Sequence, residues 1–421
     1  MSRLLLLSFL AFTFTTCSVE PEVTANENQT PVTELPLQTG AWRMVMQITE
    51  AERLPVDLNL AHDGSAYTLE VINDQERIEV TDLQLRGDSI FIRMPFFDSE
   101  FAGVLHSDSS FSGHWHNFSK GPAYKIPFTA VHGATSRFRT NEGDQGFVVA
   151  PKWEVYFSPE TEDPCIAIGT FKQDGTHLSG TFITETGDYR YLDGIAVNDS
   201  IYLSCFDGAH AFLFKAALDE NQQLNGQFWS GSHWNESWTA TANPDFELRN
   251  PDSLTFLKEG YDKFEFSFPN LDGEQVSLSD EKYKNKVVVV QIMGSWCPNC
   301  MDETMLYRDL YDQHHASGLE IVSLAYEMHE DFDKASTNVK RLKNELNANY
   351  DFLVAGVASK KRAAETLPML NHVMSYPTSI FIDRQGTIRR IHTGFYGPGT
   401  GDIYDAYVSE LTSFLEELLA E

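Results

Sequence analysis

Two cysteines, Cys297 and Cys300, stand three residues apart in the run Trp296-Cys297-Pro298-Asn299-Cys300, and their setting gives the spacing its chemical meaning. Val287 to Met293 is apolar on both pleat faces apart from Gln291, as in a strand covered on both sides. Gly294-Ser295 ends that run and a helical pattern follows. Cys297 therefore falls where strand gives way to helix, with Pro298 in the first turn, where a missing N–H costs little. Unpaired N–H groups and the positive end of the helix dipole then lie beside the Cys297 sulfur and favour its thiolate. Cys300 returns one turn later, close enough to close a disulfide. The pair reads as a nucleophile and its resolving partner, with Trp296 alongside. Half of a zinc site would need further ligands, and no second Cys-x-x-Cys or clustered Cys/His pair supplies them, so no metal is expected. An inert structural bridge would be out of place at a strand–helix junction beside a tryptophan.

The elements that must hold this pair occupy residues 262–421. Phe264 to Pro269 and a second extended piece after Asp272-Gly273 precede the central strand. The helix after Cys297 runs to about His315, with Met305, Leu306 and Leu310 at helical spacing, and Gly318 stops it. Leu319 to Tyr326 is the next apolar strand, which completes a strand–helix–strand unit and predicts a parallel pair. Residues 330–348 read as a charged amphipathic helix, 352–354 as a short strand and 360–367 as another helix. Ser379 to Asp383 and Ile388 to Phe395 are strands joined by a turn at Arg384-Gln385-Gly386, and 402–420 is the closing helix. The glycines of 397–401 are no phosphate cradle, because no Lys-Ser/Thr follows and nearby Asp residues would repel phosphate.

On these residues the segment resembles the TlpA/ResA-like branch of the thioredoxin fold, with AhpC/TSA-type redoxins as more distant relatives. The resemblance implies an α/β fold with an inserted helix and strand. It implies a thiol–disulfide oxidoreductase that needs no cofactor, working on protein thiols and disulfides and supplied by an upstream electron donor. It maps Pro377 of Met374-Ser375-Tyr376-Pro377-Thr378 to the cis-proline facing the active-site disulfide, and leaves the Tyr376 backbone free to pair with a substrate thiol. Thioredoxins carry a buried carboxylate six residues before the first Cys, where this chain has Gln291. The TlpA/ResA-like Glu three residues after the second Cys is matched by Glu303, read either as a proton acceptor or as a helix-surface carboxylate. The family's proline two residues further on is replaced by Met305. A peroxidase of the AhpC/TSA kind is a competing reading, but its Thr and Pro positions are Gly294 and Val290 here.

The chain has 421 residues, enough for several domains. Residues 1–17 have a basic start, an apolar run from Leu4 to Phe14, then Thr15-Thr16-Cys17, which reads as a secretory signal too short to span a bilayer. Cys17 resembles a bacterial lipoprotein site, which implies lipidation there. Residues 18–37 read as a flexible tether, and the expected location is the cell envelope, anchored to a membrane and facing the periplasm. A formal charge of −30 argues against nucleic acid and against adsorption on anionic lipid.

The remainder is a duplicated β region, residues 38–135 and 148–245, followed by a linker at 246–261. Trp42 and Trp153, Asp63-Gly64 and Asp174-Gly175, and Asp88-Ser89-Ile90 and Asp199-Ser200-Ile201 each recur at an offset of 111. Strand-length segments separated by Asp-Gly, Asn-Asp and Gly-Asp turns predict about eight strands in the second copy, near Trp153, Ile166, Leu178, Tyr191, Ile201, Phe212, Leu224 and Trp238. The fold class is thus multidomain: duplicated antiparallel β, either two barrels that resemble calycins or one two-sheet assembly, then an α/β thioredoxin fold. His114, Trp115, His116 and Phe118, and Trp229, His233, Trp234 and Trp238, suggest either ligand contacts or barrel interiors with histidines at strand ends. The β region could then be a binding module whose partner the redox domain services. Cys165 and Cys205 align with Leu54 and Met94, which points to buried thiols, with a disulfide between them the alternative.

Overall fold

The computed structural model describes residues 37–133 and 136–421. Residues 1–36, with the expected signal segment, Cys17 and nearly all of the expected tether, lie outside the described residues. Among the described residues no helix is long and apolar enough to cross a membrane.

Nine strands from Gly40–Gln47 to Lys125–His132 form one antiparallel sheet in which the first and last strands pair. Its two edges are Glu76–Val80 and Leu83–Arg86, which are consecutive in the chain and separated by Thr81 and Asp82 alone. Two residues reach no more than about 11 Å between flanking Cα atoms, so the edges meet and the sheet is a nearly closed barrel. The second copy closes fully. Eight strands from Lys152–Phe157 to Trp234–Ala242 pair in sequence, and the last returns to the first. A two-residue strand, Gly187–Asp188, is added at its rim. The fourth long strand is Leu192–Val197, so Tyr191 sits just before it.

Alternation decides what fills each barrel. Phe157, Phe182, Phe214, Phe228 and Trp238 point inward in the second copy, and Trp42, Phe101, Phe111 and Trp115 in the first. Trp234 is exposed. The copies are two barrels that share apolar contact: Phe206, Ala211 and Leu213 of the second pack into the core of the first. Asn73 holds the junction by accepting from Phe206 N and donating to Phe206 O. Cys205 is buried, whereas Cys165 is exposed and the two are unbridged. The apolar counterpart Leu54 misleads for Cys165, which opens its strand at the barrel rim and has no interior to enter.

The C-terminal domain is a five-stranded mixed sheet. Its strands are β1 (Val287–Met293), β2 (Leu319–Glu327), β3 (Asp351–Val357), β4 (Thr378–Ile382) and β5 (Ile388–Thr393), in the order β3-β2-β1-β4-β5. β1–β2 and β2–β3 are parallel, β1–β4 and β4–β5 antiparallel. All seven residues of β1 are buried. Val287 and Val289 face a core made with α1 (Pro298–His314), α2 (Phe332–Glu345) and α4 (Asp402–Ala420). Val288 and Val290 face the opposite core, closed by α3 (Lys360–Thr366) and the Phe264–Val276 region. The segment joining barrels and sheet is packed rather than loose. Leu254 and Thr255 are buried, Asp252 bonds His392 Nδ1 at 2.6 Å, and Thr393 Oγ1 donates to Thr255 Oγ1 at 2.8 Å.

Candidate active site

β1 delivers the chain to the carboxyl edge of the sheet, and Gly294 permits the turn that follows. A Cβ there would meet Trp296 Nε1 at 2.3 Å and Tyr326 O at 2.8 Å, so only glycine lets the indole lie back on the strand end. Trp296 Nε1 donates to Tyr326 O at 2.9 Å, and the ring meets Tyr376 edge-on with centroids 5.7 Å apart. Cys297 is the N-cap of α1 in extended conformation, and Pro298 occupies the first turn. The Cys297 sulfur accepts from Cys300 N at 3.3 Å, and its thiol donates to Tyr376 O at 3.4 Å. The Tyr376–Pro377 bond is cis. Cys297 is 7 % exposed and Cys300 fully buried. Burial, followed by the neighbouring Cys297 sulfur, drives the Cys300 thiol well above the usual range. Trp296, Cys297, Pro298, Cys300, Tyr376 and Pro377 thus meet at one point.

Beneath them lies Glu303, one turn beyond Cys300 and fully buried, not on the helix surface. Its carboxylate accepts from Gln291 Nε2 at 2.8 Å, Ser379 Oγ at 3.0 Å and Tyr307 OH at 3.2 Å. Burial raises it to about 7, and the three donors pull the other way. Gln291, mid-strand on β1, also donates to Cys300 O at 3.3 Å and accepts from Ser323 Oγ and Thr304 Oγ1. α1 runs unbroken through Met305 to His314.

Residues 260–391 match the family model described as AhpC/TSA family. The thioredoxin-like protein YneN of Bacillus subtilis (strain 168) is 28% identical over 138 residues, 33% of this chain and 73% of that protein. The thiol-disulfide oxidoreductase ResA of Bacillus anthracis is 26% identical over 147 residues, 35% of this chain and 75% of that one. The C-terminal domain is a thioredoxin-like thiol–disulfide oxidoreductase. Among solved structures, a thiol:disulfide interchange protein of the thioredoxin family from Chlorobium tepidum TLS aligns at 19% identity and TM-score 0.29, over 38% of this chain and 95% of that one. A thiol-disulfide oxidoreductase from Bacteroides fragilis NCTC 9343 aligns at 19% identity and TM-score 0.27, over 36% and 99%.

Two further acids border the oxidoreductase centre without any sequence signal to announce them. Glu327, at the end of β2, accepts from Ser295 N and Ser295 Oγ, each at 2.7 Å, and burial raises it to about 7. Asp302, on α1 next to Glu303, is paired with Arg190 of the second barrel. Arg190 also binds Glu76 of the first barrel and approaches Asp207 at 3.6 Å, so one guanidinium joins all three domains. Burial raises Asp302 to about 7 even with Arg190 against it. The spacing in sequence is 112 residues for Arg190–Asp302, beyond any local pattern. His114 and His116 flank the buried Trp115 on one barrel strand, ring centroids 6.3 Å apart, and among the described residues no three His, Cys, Asp or Glu side chains gather as metal ligands.

Proposed function

We propose that the chain reduces disulfides in the cell envelope through the Cys297–Cys300 pair, held by an N-terminal lipid at Cys17 and recharged by an upstream electron donor. What carries this reading is the stack of Cys297 at the helix N-cap, Cys300 buried behind it, and Glu303 buried below with a carboxyl near neutrality. The Cys297 thiolate attacks a substrate disulfide and expels one thiolate, leaving a mixed disulfide. Cys300 then gives its proton to Glu303 and attacks the Cys297 sulfur. The second substrate thiolate leaves, and the Cys297–Cys300 disulfide keeps the oxidation equivalent, two electrons having passed to substrate. Glu303 is the proton acceptor, and the Tyr376 backbone is the rail beside which the substrate lies.

Replacing Cys300 with Ser should stop the cycle at the mixed disulfide and trap substrates on Cys297. Absence of any adduct at Cys297, with adducts elsewhere or none, would remove the proposal. The AhpC/TSA match supplies a second reading, a thiol peroxidase. Rapid peroxide consumption without trapped protein thiols would favour it.

A further inference from the structure

The second barrel places part of its rim on the oxidoreductase site. After the strand His177–Thr184 the chain turns through Glu185 and Thr186, and Gly187–Asp188 pairs back onto Ile183–Thr184. Thr184 Oγ1 stiffens this turn by accepting from Thr186 N at 3.2 Å and donating to Gly187 O at 3.0 Å. The turn then meets the first turn of α1 and two loops beside the cysteine pair. Ser375 Oγ, one residue before Tyr376, donates to Thr186 O at 2.7 Å. Asn299, between the two cysteines, donates from Nδ2 to Asp188 O at 3.3 Å. Gly397 N donates to Asp188 Oδ2 at 2.7 Å.

Backbones touch along this contact. A Cβ on Gly187 would lie 2.2 Å from Asn299 Nδ2, and one on Gly394 would lie 2.9 Å from the Thr186 carbonyl carbon. Three polar atoms of the site's own surroundings, Ser375 Oγ, Asn299 Nδ2 and Gly397 N, are thus committed to the barrel, and Cys297 keeps only 7 % exposure. Trp296 and Tyr376, beside the cysteine pair, remain partly exposed.

We propose that the Thr184–Asp188 turn is a specificity element of the reductase: seated on the first turn of α1 at Asn299 and on the 375 and 397 loops, it admits disulfides carried on extended or unfolded polypeptide, or on small molecules, and shuts out disulfides of folded proteins. The inference rests on the disulfide-reductase reading above and names the substrate class of that same site. On this proposal an extended segment, a single chain wide, reaches Cys297 past the turn along the Trp296 and Tyr376 rings. A folded surface would collide with the barrel before its sulfur came within bonding distance of Cys297. Each turnover is the two-electron exchange already written, with a dithiol reductant restoring Cys297 and Cys300.

The test uses the full chain with dithiothreitol as donor and two substrates: a linear peptide holding one disulfide, and a folded protein with one solvent-exposed disulfide. Two variants loosen the turn: Gly187→Phe, whose side chain cannot fit against Asn299, and Asp188→Ala, which removes the acceptor for Gly397 N. Wild type should prefer the peptide by at least about tenfold in kcat/KM, and each variant that melts as a folded protein should lower that preference by about fivefold or more, through a faster folded-protein reaction, while the peptide rate stays within about twofold. A preference unchanged in both variants, equal rates with both substrates in wild type, or a fall of both rates together would overturn the specificity role. A wild-type chain that reduces neither substrate, with Cys297→Ser indistinguishable from it, would overturn the reductase reading itself.

Discussion

Gln291 Nε2 donates to Glu303 Oε2 at 2.8 Å, joining the middle of β1 to the second turn of α1 directly behind Cys300. The titratable group therefore sits on the helix and its orienting amide on the strand. This places the proposed proton acceptor where burial, rather than a neighbouring charge, sets its affinity.

Glu303→Gln should remove a pH limb. On the proposed mechanism, resolution of the mixed disulfide in the wild type needs the carboxylate, so its rate should fall as pH drops through about 7. The Gln variant should be flat across that range and slower above it by about a hundredfold, the usual scale of a lost general base. Stopped-flow rates of the second thiol release, taken from pH 5 to 9, decide this, and an unchanged profile would take Glu303 out of the mechanism.

The same carboxyl makes a stability prediction of definite sign. Its folded-state affinity for protons is raised from 4.5 to about 7, so between those values the folded state holds more protons than the unfolded one. Stability contributed at this site falls as pH rises across that window and stays low above it. Glu303→Gln should therefore stabilise the domain at pH 8 and do little near pH 4.5, by up to about 3 kcal/mol at one pKa unit per 1.4 kcal/mol. Urea unfolding at the two pH values checks it; equal effects at both would contradict the buried, near-neutral carboxyl.

Gln291→Leu takes away one of the three donors that favour ionised Glu303. The midpoint of the pH–rate profile should move above 7, by about one unit if the bond is worth the roughly 1.5 kcal/mol of a hydrogen bond to a charged group. A midpoint that stays put would assign the profile to another group, with Glu327 the first alternative.

Arg190→Met leaves Asp207 and Asp302 buried and Glu76 half-buried with their shared cation gone. Breaking a buried pair in this way costs about 3–5 kcal/mol. The loss should be larger at pH 8 than at pH 5, where Asp302 protonates readily. Thermal melts at both pH values measure this, and a loss independent of pH would mean the cluster matters by packing alone.

Much of the centre could be read from local pattern because the physics there is local. A β-branched run, a break at Gly294, and Cys297-Pro298 at a helix start specify their neighbours within a few residues. The repeat exposed the barrels through turn signals, since Asp-Gly and Asn-Asp positions constrain backbone independently of what the strands pack against. Glu303 is the intermediate case: its spacing from Cys300 places it one turn along the same helix, but only the approach of Gln291 and Ser379 from the sheet determines that its face is buried. Arg190–Asp302 and Asp188–Gly397 join segments 112 and 209 residues apart, and no period or motif encodes such meetings. Cys165 shows the limit of repeat logic, since an aligned apolar residue reports the copy's interior and not the rim where Cys165 begins its strand. In native protein, iodoacetamide should therefore mark Cys165 and leave Cys205 untouched until unfolding, which peptide mass mapping would read directly.

The reduction potential of the Cys297–Cys300 couple, measured by equilibration with glutathione or dithiothreitol buffers, tests the reductase account at its centre. A value near thioredoxin's, about −270 mV, is the expected result; one near about −120 mV would mean an oxidant and contradict it.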